Sequence, residues 1–263
     1  MWRLKWVLKW LLNRKRRIAL NEVLQSPGLF WKAMFLKLIP GLHKRPVKLA
    51  LKDGGVFQVR QFMTLYIFSE IFLDRCYDVP LDGVDEPVVV DIGANTGLFM
   101  LRAKQLWPDA NLFCYEPYPP NFDDLSVNLA DSRLGKVQLY PEGVGGDARE
   151  TVLHINPKNI GGHSIINSAR CAGQVAIKLV NLRTVLDRTP HGKCDLMKLD
   201  CEGAEQEILS SMDQDLAARI PRIIYEETPE LDTQALKSHL GRLGYQIQPH
   251  SGLVLASRRS PAG

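Results

Sequence analysis

The chain has 263 residues, 45% of them hydrophobic and 8% aromatic, and a formal net charge of +4. This length and composition exclude a disordered chain and are sufficient for one large α/β domain with an added segment. The cysteines are odd in number and scattered, which argues against a disulfide framework and favours reduced thiols in a cytoplasmic protein. They are Cys76, Cys114, Cys171, Cys194 and Cys201.

The basic residues are concentrated at the N-terminus. Residues 1–50 hold 12 Lys and Arg against one acid, Glu22, which gives +11. The rest of the chain has 21 basic and 28 acidic residues and therefore carries −7. A catalytic domain with this negative charge is not expected to bind nucleic acid.

We predict that residues 1–45 form a basic, aromatic helical segment. In MWRLKWVLKWLLNRKRR the apolar side chains follow one broad helical arc, with Lys5 and Lys9 on the opposite side. A run of about 18 apolar residues is missing, so a membrane-spanning helix is not expected. Two interpretations stay open. Residues 1–40 contact the inner membrane surface peripherally, or the aromatic face packs on the domain or on a second subunit of a homodimer.

Residues 46–82 are predicted to form a β-hairpin followed by a helix that caps the domain. VKLALKDGGVFQVR reads as two short strands around Asp53-Gly54-Gly55. Over residues 61–76 the apolar side chains recur at helical spacing, and the pattern ends before Tyr77 and Pro80.

Residues 83–260 are predicted to form an α/β domain, because strand and helix patterns alternate from residue 87 onward. The expected architecture is a central, mostly parallel seven-stranded sheet with helices on both faces. The strands are placed near 87–91, 111–116, 136–140, 194–200, 221–226, 244–248 and 252–256, and the helices near 97–106, 119–129, 203–210 and 232–242. Between them, residues 145–190 form an insertion in which TVLHI and VAIKLV read as extra strands around a polar, substrate-side loop.

The stretch VVVDIGANTGLF, residues 88–99, predicts a buried strand that passes through a glycine turn into a helix. Gly93 and Gly97 let the backbone approach a ligand, and the amides that open the helix supply hydrogen-bond donors. The spacing is Gly-x-x-x-Gly and not the Gly-x-Gly-x-x-Gly that admits a pyrophosphate. A nucleotide-like cofactor without phosphates is therefore expected.

Acids occur at the carboxyl ends of four predicted strands, the edge where ligands bind in open α/β sheets. They are Asp91, Glu116, Asp200 with Glu202, and Glu226 with Glu227. Glu116, followed by Pro117, is placed to accept both hydroxyls of a ribose. Lys198 falls inside an otherwise apolar strand, where we expect it to have a nearby carboxylate partner such as Glu226.

Three strings together carry a family resemblance: VVVDIGANTGLF, LFCYEPYPPNFDDLSVNL and DLMKLDCEGAEQEIL. In this order they resemble the FkbM family of S-adenosylmethionine-dependent O-methyltransferases, over roughly residues 47–256. The resemblance implies a Rossmann-like class I methyltransferase fold. It also implies an acceptor hydroxyl on a sugar, a glycan or a natural product.

The resemblance further implies which residues bind S-adenosylmethionine. Asp91, Gly93, Asn95, Thr96 and Gly97 would hold its amino-acid end. Gly143 and Val144 would lie near the adenine, Glu116 and Pro117 near the ribose, and Asp200 where the methyl group meets the acceptor.

Methyl transfer to a hydroxyl requires a group that takes up the proton, because a neutral alcohol is a weak nucleophile. Asp200 and Glu202 are the first candidates for base or acceptor orientation, followed by His163 from the polar loop, with Lys198 beside them. We predict no dedicated metal site. Asp200, Glu202 and Glu226 could alternatively hold a hard cation such as Mg²⁺, which the sequence does not require.

Two other functions stay open at this stage. One is a membrane-surface scaffold that binds a nucleoside without catalysis and is located by its basic N-terminus. The other is a nucleotide-dependent oxidoreductase, which the missing Gly-x-Gly-x-x-Gly spacing disfavours.

Overall fold

A computed structural model describes residues 6–7, 10, 13–39, 45–155, 173–201, 203–227 and 232–258. The helices are α1 (Arg14–Val23), α2 (Pro27–Leu36), α3 (Phe62–Phe68), α4 (Leu98–Leu106), α5 (Pro119–Ser132), α6 (Leu182–Asp187), α7 (Glu205–Ser210), α8 (Gln214–Arg219) and α9 (Thr233–Arg242). The strands are β1 (Val47–Ala50), β2 (Val56–Val59), β3 (Val88–Ile92), β4 (Asn111–Tyr115), β5 (Val137–Tyr140), β6 (Gly143–Val144), β7 (Arg149–His154), β8 (Gln174–Val180), β9 (Leu196–Leu199), β10 (Arg222–Tyr225), β11 (Gln246–His250) and β12 (Leu253–Ser257).

The central sheet confirms the predicted architecture. Within the described residues it contains seven strands in the order β11-β12-β10-β9-β3-β4-β5. The pairs from β5 through β10 are parallel, and β12 runs antiparallel to both of its neighbours. The chain adds β4 and β5 on one side of β3 and later adds β9 and β10 on the other side. At such a switch point in an open α/β sheet, the carboxyl ends of the two adjacent strands, here β3 and β9, border a crevice of the kind that binds ligands.

Alternate residues of the strands point to opposite faces of this sheet, as the pleat requires. Val89 belongs to a core cluster formed with the N-terminal helices, the hairpin, α3, α4 and α5. Val90 belongs to a second cluster formed with α6, α7, α8 and α9. Since both faces are covered by helices, the apolar run Val88 to Val90 at the start of β3 is explained.

The N-terminal segment packs on the domain through its described aromatic side chains. Trp10 is 1% exposed, and its ring centroid lies 5.0 Å from that of Phe30. The Trp6 ring contacts Phe62 edge to face, with the centroids 5.2 Å apart. These contacts favour the packing interpretation for the two tryptophans. Nowhere in the described part of the chain does a helix have the length and apolar character that a membrane span requires.

The hairpin is confirmed, with β1 and β2 paired antiparallel from Val47 with Val59 to Ala50 with Val56. The helix predicted over 61–76 is shorter, since α3 passes into a π-helical turn at Ser69–Leu73. The Ser69 hydroxyl donates to the Leu65 carbonyl at 2.8 Å, and the Asp74 amide donates to the Ser69 carbonyl at 2.9 Å. A side-chain bond of this kind competes with the helical ladder.

The two strands predicted in the insertion are confirmed as β7 and β8, which pair antiparallel. With β6 they form a separate three-stranded sheet in the order β6-β8-β7. The short helices α6 and α8, each six residues long, were not predicted. The polar loop at 156–172, which includes His163, lies outside the described residues.

Candidate active site

The turn between β3 and α4 has an unusual backbone. Gly93 and Gly97 have φ of +78° and +85°, and Asn95 has φ of +51°. A Cβ atom on Gly93 would lie 1.9 Å from the carbonyl oxygen of Asp200. Only glycine therefore allows the end of β3 to meet the end of β9 at this distance.

Glu116 lies at the end of β4, beside this turn, and is 5% exposed. Its carboxylate accepts the Asn95 amide at 2.8 Å and the Tyr118 amide at 2.9 Å. Burial raises the pKa of Glu116 to about 7, although both amides favour the ionised form. A carboxylate has about four acceptor positions, so two remain for hydroxyl donors such as those of a ribose.

Lys198 is buried in β9 and has a carboxylate partner. Its ammonium lies 2.9 Å from Oδ1 of Asp91 and donates to the Gly93 carbonyl at 2.8 Å. Asp200 is 3.8 Å away. The predicted carboxylate partner is therefore confirmed, but it is Asp91 and not the named example, Glu226. Asp91 is the partner of Lys198 because the parallel pairing of β3 with β9 places the two residues directly opposite each other. Burial alone would lower the pKa of Lys198, but the charges of Asp91 and Asp200 raise it above its ordinary value.

A cavity of about 310 Å³ opens beside the glycine turn. Its floor contains Gly93, Lys198 and Asp200, and its wall is formed by α3, the π-helical turn and the β11–β12 connection at Ser251–Leu253. The Tyr77 hydroxyl donates to Oδ2 of Asp200 at 2.8 Å. Asp200 therefore presents its carboxylate to the cavity with one oxygen fixed by a neutral donor.

Two more carboxylates line this cavity, Glu70 from the π-helical turn and Glu226 from the end of β10. Burial raises the pKa of Glu70 to about 7, with a further increase from the charges of Asp200 and Glu226. Burial and the charge of Asp200 raise the pKa of Glu226 to about 6. The described part of the cavity thus holds three acids and Lys198, which is already engaged by Asp91.

Comparison with known proteins identifies this arrangement. The family model described as Methyltransferase FkbM domain matches residues 91–247, which include the glycine turn, Glu116, Lys198 and Asp200. The chain belongs to the FkbM methyltransferase family. It is an S-adenosylmethionine-dependent methyltransferase, and this membership favours the methyltransferase prediction over the scaffold and oxidoreductase alternatives.

Individual FkbM-type relatives agree with this assignment. Methyltransferase sdnD of Sordaria araneosa is 30% identical over 200 residues, which cover 65% of this chain and 77% of sdnD. The 2-O-methyltransferase NoeI of Sinorhizobium fredii is 30% identical over 156 residues, which cover 54% of this chain and 63% of NoeI. The solved structure of Methyltransferase FkbM from Methylobacillus flagellatus has a TM-score of 0.50 at 15% identity, covering 89% of this chain and 59% of that one. The predicted class I methyltransferase fold is confirmed.

The structure brings most predicted site residues to one edge of the sheet. Asp91, the glycine turn, Lys198 and Asp200 meet at the ends of β3 and β9, and Glu226 reaches the same cavity. Gly143 lies beside Pro117, since a Cβ on Gly143 would be 3.5 Å from the Pro117 side chain. The side chain of Val144 is buried in the core beneath them.

The remaining predicted residues stay untested. Glu202 and His163 lie outside the described residues, so the structure bears on neither. Among the described residues, no group of three or more His, Cys, Asp or Glu has a geometry that could hold a metal ion.

Sequence reasoning missed Tyr77 and Glu70 as site residues. Both precede residue 91, where the match to the FkbM model begins, and Glu70 lines the cavity from the π-helical turn that continues α3. The one available signal was local, since Glu70 interrupts the apolar run from Ile67 to Leu73.

Proposed function

We propose that this FkbM-family enzyme transfers a methyl group to a hydroxyl of a sugar, a glycan or a natural product in this cavity. The observation that carries the proposal is the Asp200 carboxylate, which faces the cavity beside the glycine turn. The name of the relative NoeI specifies O-methylation, which supports the choice of oxygen as the methyl acceptor.

Asp200 is the proposed proton acceptor. Tyr77 and Lys198 both address its Oδ2 atom, and Oδ1 takes no hydrogen bond from the described residues. An acceptor hydroxyl that donates to Oδ1 would be oriented and could transfer its proton as its oxygen gains the methyl group. Lys198, held by Asp91 and the Gly93 carbonyl, balances the charge of Asp200 while the carboxylate is ionised.

The cofactor would lie across the ends of β3, β4 and β6. Bound S-adenosylmethionine supplies an electrophilic methyl group on a sulfonium centre. Glu116 would accept the ribose hydroxyls at its two remaining acceptor positions, and the turn from Gly93 to Gly97 with Asp91 would hold the amino-acid end. Pro117, Gly143 and Val144 would border the adenine, since Gly143 and Pro117 lie next to each other.

Glu202 and His163 remain candidate bases, and a Mg²⁺ ion held by Asp200, Glu202 and Glu226 remains the alternative use of these acids. The test of the proposal is incubation with methyl-labelled S-adenosylmethionine and a panel of hydroxylated sugars and natural products, with and without EDTA. Label is expected on oxygen in both conditions. Label on nitrogen or carbon would contradict the proposal, and loss of transfer with EDTA would favour the metal.

The affinity for S-adenosylhomocysteine is expected to depend on the ionisation of Glu116. A carboxyl group with a pKa of about 7 is protonated below that pH, and its ionised form is the better acceptor for ribose hydroxyls. The dissociation constant should therefore be about tenfold higher at pH 6 than at pH 8. Calorimetric titration at both pH values measures this change.

Glu116→Gln keeps the size of the side chain and removes the titration. Its dissociation constant should be higher at pH 8 and nearly constant between the two pH values. If wild type and variant show the same pH dependence, Glu116 does not contact the ribose.

For the N-terminal segment, we propose peripheral contact with an anionic membrane through residues 1–40. On α1, Ile18 is 50% exposed next to the exposed Lys15 and Arg17, and Phe35 and Ile39 are 49% and 46% exposed at the end of α2. Exposed apolar side chains beside Lys and Arg are typical of helices that bind anionic lipid surfaces.

Flotation with vesicles that contain anionic lipid is expected for the full chain, and the double variant Phe35→Ser, Ile39→Ser should reduce it. Vesicles of neutral lipid serve as the control. Equal flotation of the two proteins, or none with anionic vesicles, would remove this role.

A further inference from the structure

The π-helical turn places Glu70 in the wall of the cavity. A π-helical turn inserts one extra residue into a helix and is frequent at functional sites. Here the turn at Ser69–Leu73 continues α3. The two residues that follow Glu70 in this turn, Ile71 and Phe72, are buried in the core, with 4% and 1% exposure. Glu70 instead lines the cavity that the glycine turn also lines, together with Tyr66 and Ile67.

Glu70 makes no ion pair with any described residue, and Lys198, which lines the same cavity, is paired with Asp91. Its carboxylate interacts with the Tyr66 hydroxyl, a neutral group that leaves the negative charge uncompensated. Asp200 and Glu226 line the same cavity and add two further acids. A ligand that fills this space therefore meets the hydrogen-bond acceptor of Glu70 as well as that of Asp200.

We propose that Glu70 is a specificity-determining residue that accepts a hydrogen bond from a second polar group of the methyl acceptor. The site then takes hydroxylated acceptors that present a hydroxyl or ammonium donor to Glu70, and it rejects acceptors that carry a carboxylate or phosphate there. This inference rests on the proposed function, because it assumes that the acceptor occupies this cavity with its reacting hydroxyl at Asp200.

The geometry explains why two contacts are useful. Asp200 alone fixes one hydroxyl and leaves the acceptor free to rotate, whereas a second contact at Glu70 selects which hydroxyl of a polyol reaches Asp200. The side chains of Met63, Ile67 and Leu253 also line the cavity and add apolar surface beside these contacts. Like charges brought together in such a space are strongly unfavourable, which gives discrimination against anionic acceptors.

The test uses the methyl glycosides of glucosamine, glucose and glucuronic acid as probes. Their binding to the full chain, saturated with S-adenosylhomocysteine, is followed by saturation-transfer difference NMR at pH 8, one unit above the pKa of about 7 of Glu70. The dissociation constant should be lowest for the glucosamine glycoside, and for the glucuronic acid glycoside it should be at least about tenfold higher. Glu70→Gln should reduce that ratio several-fold, while the matched control Glu86→Gln, at an exposed site before β3, should leave it unchanged.

Equal affinities, tightest binding of the glucuronic acid glycoside, or a ratio unchanged in Glu70→Gln would overturn the inference. Failure of all three glycosides to bind would overturn it as well, since the cavity would then not accept a donor-rich ring. S-adenosylhomocysteine binding is measured in the same samples. If it persists, only the inference fails, whereas its absence in the wild-type protein would remove the proposed function too.

Discussion

Asp200→Asn should lower kcat for methyl transfer by about 100- to 10,000-fold, the usual contribution of a positioned general base. The amide has nearly the same shape as the carboxylate but cannot take up the proton of the acceptor hydroxyl. Because the Tyr77 hydroxyl can still donate to the amide oxygen, the cavity should keep its form. The measurement is the rate of S-adenosylhomocysteine release at saturating cofactor, together with calorimetric titration of S-adenosylhomocysteine, whose dissociation constant should stay within about threefold of wild type.

Two further variants show whether the loss of kcat in Asp200→Asn comes from the position of this carboxylate in the cavity. Asp187→Asn changes the same group on the surface, where the side chain is 74% exposed, and should leave kcat unchanged. Tyr77→Phe keeps the edge contact with Phe99, 5.4 Å between centroids, and removes only the hydrogen bond to Asp200. A loss of about tenfold in kcat is expected there, as for one hydrogen bond to a charged group. A fully active Asp200→Asn variant would transfer the role of base to Glu202 or His163.

The main features of the fold could be predicted from the sequence because its strands carry strong local signals. Val88 to Ile92 and Leu196 to Leu199 are short runs bounded by turn residues and apolar apart from Asp91 and Lys198, and such runs are expected to be buried on both faces. The glycine turn was equally predictable, since Gly93 and Gly97 occur where a strand must become a helix. The three family strings then indicated the FkbM methyltransferase family, which the family model confirms over residues 91–247.

The candidate site was predictable only in part because its remaining contacts depend on distances between strands. The partner of Lys198 is set by the register of β3 against β9, which pairs Lys198 with Asp91, and no local pattern contains that register. The Tyr77 contact with Asp200 joins residues 123 positions apart. The π-helical turn begins at Ser69, whose hydroxyl donates to the Leu65 carbonyl, and helical periodicity alone treats that position as ordinary helix.

Gly93 carries the second large prediction, because it is the point where the turn and the end of β9 touch. Gly93→Ala places a methyl group 1.9 Å from the Asp200 carbonyl oxygen, so the two backbones must separate. The left-handed backbone and the overpacking together should cost about 2 to 5 kcal/mol of folding free energy. Since the shift moves Asp200 and the turn amides, the dissociation constant for S-adenosylhomocysteine should rise at least about tenfold in the folded fraction.

Gly54→Ala separates backbone strain from the clash. Gly54 has φ of +100°, and a Cβ there would meet no atom within 4 Å. This variant should lose only the roughly 1 to 2 kcal/mol of left-handed strain and should bind S-adenosylhomocysteine as wild type does. Urea unfolding of both variants, combined with calorimetric titration below the unfolding transition, measures the two effects independently. If Gly93→Ala bound S-adenosylhomocysteine with wild-type affinity, the contact between β3 and β9 would not be what positions the glycine turn for binding. Gly93 would then be required for folding alone.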